Sequence, residues 1–321
     1  MILPQELSKL NQLDRRVDAI ENPPPAKAIP EGYMVIENKL IRTVNAEQLS
    51  RQLSGGVTGT YADKVNATPV NGDEFFQTDD ARDAPAAKYY YLNGRWNMIP
   101  PDREQFIMVF DDFHRIGAAG FVWEFYYGVT GGVATPSYVA PISGTVLHAN
   151  TGVSATGRVI LYQGSLNNAG SGFIFQTGAV YFKMFAPRFD NISTALEEFT
   201  LRFGLMGASA PVDTDNGVYF EYDRLISPNW QLKTAKNGVR TSFVTTIPVA
   251  PGSHLFEIFV NELATQADYY INNVLAGSVA LVVFNNVAQP CFQIIKSVGT
   301  TLRGMYIDYI KSWQRLTTSR P

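Results

Sequence analysis

Hydrophobic residues along this 321-residue chain follow two rhythms, and the change from one to the other divides it. In residues 5–21, QELSKLNQLDRRVDAIE, Leu10, Leu13, Val17 and Ile20 recur at spacings of three, four and three, and Leu3 and Leu7 extend the stripe backwards. Polar residues fill the other positions, which is the a/d pattern of a coiled coil. Pro23, Pro24 and Pro25 then stop the helix, and a proline run makes a stiff spacer rather than a fold-back. A helix this short is marginal alone in water, so the stripe predicts self-association. Its seam of Leu, Val and Ile holds no buried Asn of the kind that specifies dimers, and the expected state is a homotrimer.

Beyond the prolines the period changes. GYMVIENKLIRTV alternates as a short strand, NAEQLSRQL reads as a short helix capped by Asn45, and VTGTYADKVNATPV reads as extended. Residues 70–101 read as two or three strands, with an Asn93-Gly94 hairpin between YYYL and RWNMI. From Phe106 onward, apolar runs separated by turn signals predict about a dozen strands, with tight turns at Asn237-Gly238 and Asn272-Asn273. GVTGGVATPS reads as a Gly-rich loop, and no helical pattern exceeds STALEEF. MYIDYIKSWQRL carries apolar residues on both faces, as a central strand requires. The expected fold is mainly β: a coiled-coil helix and linker at 1–25, a small mixed β module at 26–101, and a two-sheet sandwich at 106–321.

Composition sharpens this picture. Charged residues make up 17% of the chain, below the roughly 25% of an average soluble domain, as fits a surface partly buried against other copies. A net charge of −3 gives no reason to expect nucleic acid or an acidic membrane as partner. No apolar run reaches the roughly 18 residues of a membrane helix. MILPQELSKLNQLDRR lacks the basic segment and apolar run of a signal peptide, so synthesis in a cytoplasm is expected. Cys291 is the only cysteine, which excludes an intrachain disulfide and a Cys-based zinc site.

The chemical candidate is the pair Glu221 and Asp223 in GVYFEYD. Residues two apart on a strand share a face, so the two carboxylates can approach the ~5–5.5 Å of a retaining glycosidase. Against catalysis, Arg224, Leu225 and Ile226 follow, and no further acid stands by as proton donor. The pair therefore reads as a polar strand face, partnered by Arg224 or Lys233, whose replacement shifts stability by roughly 1 kcal/mol or less. His114, His148 and His254 show no metal or triad spacing. No catalytic residue, metal ligand or cofactor is expected. Asp215, Asn216 and Asn229 offer oxygens suited to calcium but equally are turn residues. Tyr138, Tyr222, Trp230 and Tyr269, with Tyr270, are the rings available to stack on a glycan.

Two resemblances add to this. In order, GVYFEYD, NWQLKTAKNGVRTS, HLFEIFVNELATQADYYINNVLAGS and YIDYIKSWQR resemble the concanavalin A-like jelly roll of legume lectins, laminin-G-like modules and many glycoside hydrolases. In the retaining glucanases of that class, E-x-D is followed by a second Glu; Glu221 and Asp223 match the first half only. Separately, Gly72, Asp73, Phe75, Thr78 and Asp79, followed by Asn93, Gly94 and Trp96, resemble a small module of bacteriophage fibre and virion proteins. The order of coiled-coil stub, linker, small module and jelly-roll head resembles a short trimeric phage fibre. That implies a virion structural protein, favoured at the capsid head, attached to other virion proteins through its N-terminal region. The alternatives are a tail-fibre, lectin-like protein binding host surface glycans and, third, a glycoside hydrolase.

Overall fold

The computed structural model describes residues 33–36, 39–42, 57–98 except 79 and 83, 106–111, 123–127, 133–138, 145–163, 173–175, 178–189, 191–207, 213–281 and 287–316. The expected coiled-coil residues Leu10, Leu13, Val17 and Ile20, and the helix expected from Asn45, lie outside the described residues. The chain divides into two compact units, one running to Phe76 and including Lys88–Met98, the other comprising Gln77–Ala87 and the residues from Ile99 on.

In the smaller unit, β1 (Tyr33–Ile36) and β2 (Lys39–Arg42) form an antiparallel pair. A four-stranded sheet follows in the order β3 (Val57–Gly59), β4 (Glu74–Gln77), β5 (Lys88–Leu92) and β6 (Arg95–Met98). The expected Asn93-Gly94 turn joins the last two, with φ of +55° and +81°. Phe75 packs edge-on against Trp96 at 5.9 Å between ring centres, which gives the sheet an aromatic core. The segment expected to be extended contains a helix instead, α1 (Tyr61–Asn66). Its start is a capping box: the Thr60 hydroxyl accepts from the Asp63 amide at 3.3 Å, and the Asp63 carboxylate accepts from the Thr60 amide at 2.7 Å. An Asp in the place usually held by Glu supplied the signal.

The larger unit holds β7 (Phe106–Asp111), β8 (Trp123–Tyr127), β9 (Val133–Tyr138), β10 (Thr145–Asn150), β11 (Arg158–Gln163), β12 (Phe173–Ile174), β13 (Val180–Phe189), β14 (Phe199–Met206) and β15 (Gly217–Asp223). It continues with β16 (Asn229–Lys236), β17 (Val239–Pro248), β18 (Gly252–Val260), β19 (Gln266–Ile271), β20 (Val274–Ala280), β21 (Val287–Lys296), β22 (Gly304–Ile307) and β23 (Tyr309–Arg315). One sheet runs β17-β16-β15-β14-β21-β11-β8, with β12 beside β21. The other runs β20-β19-β18-β13-β22-β10-β9, with β23 between β13 and β7. All recorded pairings within both sheets are antiparallel. This is a mainly β sandwich, as the strand pattern implied.

Alternation explains why these strands stack in two layers. Phe199, Leu201, Phe203 and Leu205 of β14, Val218, Phe220 and Tyr222 of β15, and Phe256, Ile258 and Val260 of β18 meet in one buried cluster. The C-terminal segment forms two interior strands, β22 between β13 and β10 and β23 between β13 and β7. Met305 and Ile307 face the core before a break at Asp308, and Ile310 faces it afterwards because the break shifts the alternation by one residue.

Three details depart from expectation. Val133–Tyr138, part of the segment read as a Gly-rich loop, is a strand. It pairs with β10 at the end of its sheet, where Pro136 is tolerated. STALEEF forms a bridge between Thr194 and Glu197 rather than a helical turn. Residues 77–87, expected in the small module, pack with the larger unit, where Asp80 meets Arg315 at 2.7 Å and Arg82 meets Glu257 at 3.3 Å.

Candidate functional site

The acids singled out in the sequence do share one face of β15. Phe220 and Tyr222 turn into the core, so Glu221 and Asp223 stand on the opposite, outer face of that sheet. Antiparallel register sets Arg202 of β14 beside Glu221, with Gln293 of β21 beyond it and Gln231 of β16 on the other side. One step along, Tyr219 lies between Gly204 and Lys233. Gly204, at φ +149°, lets the strands close here: a Cβ would stand 2.5 Å from the Val218 carbonyl oxygen.

Glu221 is 0% exposed, which corrects the reading of a solvent-facing acid. Its two oxygens are held by different cations, Arg202 Nε at 2.5 Å and Lys233 Nζ at 2.5 Å. Both cations also reach Asp213, each at 3.3 Å, and Arg240 Nε approaches the same carboxylate at 2.9 Å. Tyr219 donates to Asp213 at 2.6 Å. Burial pushes the Asp213 carboxyl upward, but the Tyr219 hydroxyl and the three cations outweigh it and hold it below the ordinary carboxylate range. Burial, then the Asp213 charge, raise Tyr219, which remains the donor.

Asp223 does something different. At the end of β15 its side chain accepts from the Leu225 amide at 2.9 Å and from the Thr200 hydroxyl at 3.3 Å, closing the turn that follows. Arg224 pairs with Glu198 at 2.6 Å rather than with Glu221. Leu225 and Ile226, near where the glucanase pattern needs its second Glu, are exposed. The constellation is therefore a network of two carboxylates and three cations with a tyrosine donor. A glycosidase pair needs one carboxyl held protonated and the other ionised; Asp213 is pulled the opposite way, and Glu221 is saturated by two cations.

The remaining candidates fall as follows. Tyr222, Trp230 and Tyr269 lie in the core, and the Tyr269 hydroxyl donates to the Lys233 carbonyl at 2.5 Å, so these three rings offer no platform to a sugar. Alternation alone did not say which half of the aromatics points inward. Tyr138 lies in β9, opposite Thr145 of β10; its side chain is outside the described residues. Asp215 and Asn216 stand at the start of β15, whereas Asn229 opens β16 at the opposite end of that hairpin, so the three do not converge on one cation. Asn216 instead accepts from the Asn237 amide, and Asn229 donates to the Thr245 carbonyl. His148 stacks on Tyr306 at 4.1 Å and His254 bonds the Ala250 carbonyl, while His114 is outside the described residues. Cys291 is buried and its thiol is pushed up to about 12 by burial.

The sequence reading missed Arg202, Asp213, Arg240 and Tyr219. A signal existed: Arg202 interrupts an otherwise apolar strand, FTLRFGLM, as Lys233 does in NWQLKTAK, and a cation there needs a buried acid.

The chain matches no protein-family model and no curated protein sequence. Among solved structures it is similar to the Emp47p carbohydrate recognition domain, at 9% identity and TM-score 0.42 over 68% of this chain and 100% of that one. It is also similar to a GlcNAcα1-4Gal-releasing endo-β-galactosidase from Clostridium perfringens, at 12% identity and TM-score 0.44 over 70% of this chain and 66% of that one. An endo-1,3-β-glucanase from Streptomyces sioyaensis gives 14% identity and TM-score 0.42 over 68% and 99%.

Proposed function

We propose that this chain is a structural component of a bacteriophage virion: a homotrimeric fibre or spike, sited at the capsid head, that displays a non-catalytic β-sandwich. The observation that supports the non-catalytic part is Glu221, fully buried and clamped between Arg202 and Lys233. A charge network of this kind ties strands together and leaves neither Glu221 nor Asp213 free to protonate a leaving group. The virion part is supported by the residues of the small module. The Gly72–Asp73 and Asn93–Gly94–Trp96 elements that resemble phage fibres fold around a common sheet, with Phe75 and Tyr91 against Trp96.

The test uses purified particles from a host in which the gene is active. Mass spectrometry should find the chain in the particle, and an antibody label should place it on the head. A label at the tail tip, with glycan-array binding, would favour the receptor-binding alternative. Absence from particles, with saccharide turnover lost on Glu221→Gln, would overturn the reading.

A further inference from the structure

Among the described residues β17 is an edge strand that pairs with β16 alone. The turn that joins them, Asn237-Gly238, has φ of +49° and +80°, the two-residue I′ geometry in which the flanking pair, Lys236 and Val239, is hydrogen-bonded. In an antiparallel ladder the bonded pairs alternate. Val239, Thr241 and Phe243 therefore bond to β16, and Arg240, Ser242 and Val244 aim their backbone N–H and C=O groups outward. A register shift after Val244 ends the regular stretch, so the free edge is Val239–Val244.

Sheet edges are normally protected by lysine, proline, inward-pointing charge or a bulge. VRTSFV contains no lysine, acid or proline. Its one charge, Arg240, is folded back onto the Asp213 carboxylate at 2.9 Å and the carbonyls of Gly238 and Thr214. Phe243 is 44% exposed and Val244 46%. Phe243 reaches across to β20, at the edge of the other sheet, where Gly277 makes room for its ring: a Cβ there would meet the ring at 2.7 Å. Val274 and Leu275 of β20 continue the exposed apolar strip. The pairing of β20 is interrupted by a register shift between Tyr269 and Tyr270, so β17 is the regular edge of the two.

We infer that β17 is an interface between two copies of this chain, paired antiparallel through Val239–Val244 across a two-fold axis at Ser242. The symmetry selects the occupant. An antiparallel strand set against itself matches each outward N–H with a C=O, for about six main-chain bonds. With Ser242 on the axis, Phe243 packs beside Thr241 of the second copy, and Val244 lies along the Arg240 stem of the second copy. A two-fold axis brings like charges together wherever an edge is charged near its centre. Here the two Arg240 positions stand roughly 13 Å apart along the strands, beyond the ~8 Å screening length at physiological salt. Neutrality is thus a requirement of self-pairing that this edge meets.

The experiment is sedimentation equilibrium and light scattering on the full chain at tens of micromolar. Wild type should give an even copy number: two, or six if the N-terminal helix also joins three chains. Ser242→Pro removes an outward N–H and leaves the bonds to β16 in place, as edge proline does. Val244→Lys sets a lysine against Arg240 of the second copy. Either variant should halve the copy number while the thermal midpoint measured by circular dichroism stays within a few degrees. If Ser242→Pro does not fold, Val244→Lys decides alone. A wild-type monomer or trimer, or a copy number unchanged by the folded variants, overturns the inference. The virion placement is tested separately on particles, and a copy number of two would remove only the trimer from that reading.

Discussion

Replacing Glu221 by Ala tests the charge network directly. The carboxylate is fully buried, and Arg202 and Lys233 are themselves only 12% and 8% exposed. Removing one member of a buried ion pair costs about 3–5 kcal/mol, chiefly because the remaining charge is stranded without water. Here the loss is softened, since Asp213 keeps both cations at 3.3 Å. It is not cancelled: Asp213, only half-buried, also serves Arg240, so one acid is left to offset three cations, with the exposed Asp215 3.6 Å from Arg240. The expected cost lies at the low end of that range, about 3 kcal/mol. Glu221→Gln keeps the volume and one acceptor and should cost less, about 2 kcal/mol. Both exceed the roughly 1 kcal/mol expected from the sequence for a solvent-facing pair, and the cause is burial. The assay is urea unfolding followed by tryptophan fluorescence, because Trp230 and Trp313 are both fully buried. A double-mutant cycle with Lys233→Met should return a coupling of about 1–3 kcal/mol. A loss within about 0.5 kcal/mol of wild type for Glu221→Ala would refute the reasoning, because that is the range of an ordinary surface change.

Asp223→Asn keeps an acceptor for the Leu225 amide and should cost under about 1 kcal/mol in the same urea assay. The Asp213 carboxyl is held low in the folded chain, so its contribution is present above about pH 4 and is lost as pH falls through the folded value; Asp213→Asn should flatten acid unfolding curves in that window. Cys291 should be silent to a thiol reagent at pH 8 in the folded chain and titrate as one thiol per chain in denaturant, since burial pushes it up to about 12. Ending the chain at Gly304 removes β22 and β23, which carry Met305, Ile307, Ile310 and Trp313, and soluble expression should be lost.

What could be read from the sequence was whatever depends on neighbours along the chain. The Asn-Gly and Asn-Asn turns are set by residues that tolerate positive φ, and Asn93, Asn237, Asn272 and Asn273 all adopt it. The central place of MYIDYIKSWQRL followed from apolar residues on both faces. Failures came where a local signal had two meanings. VTGTYADKVN contains β-branched residues that suit a strand, and only the reciprocal Thr60–Asp63 bonds decide for a helix. Glycines in GVTGGVATPS suggest a loop, yet the strand begins immediately after them at Val133, and its pairing with β10, outside the segment, is invisible in the segment itself.

The same distinction governs the site. Period-two alternation established that Glu221 and Asp223 share a face, but not what stands opposite. Arg202 lies 19 positions before Glu221 and Lys233 lies 12 after it, and only the register of β14, β15 and β16 brings them onto its carboxylate. A buried acid among apolar strands admits two outcomes. Without a cation it is driven toward its neutral form and becomes a proton donor; clamped by cations it becomes structural. Two acids two residues apart thus raise the question of catalysis, and the residues that answer it belong to other strands. Here every cation that β14, β16 and β17 bring to that face, Arg202, Lys233 and Arg240, is spent on Glu221 or Asp213. These ion pairs tie β14, β15, β16 and β17 together across that face.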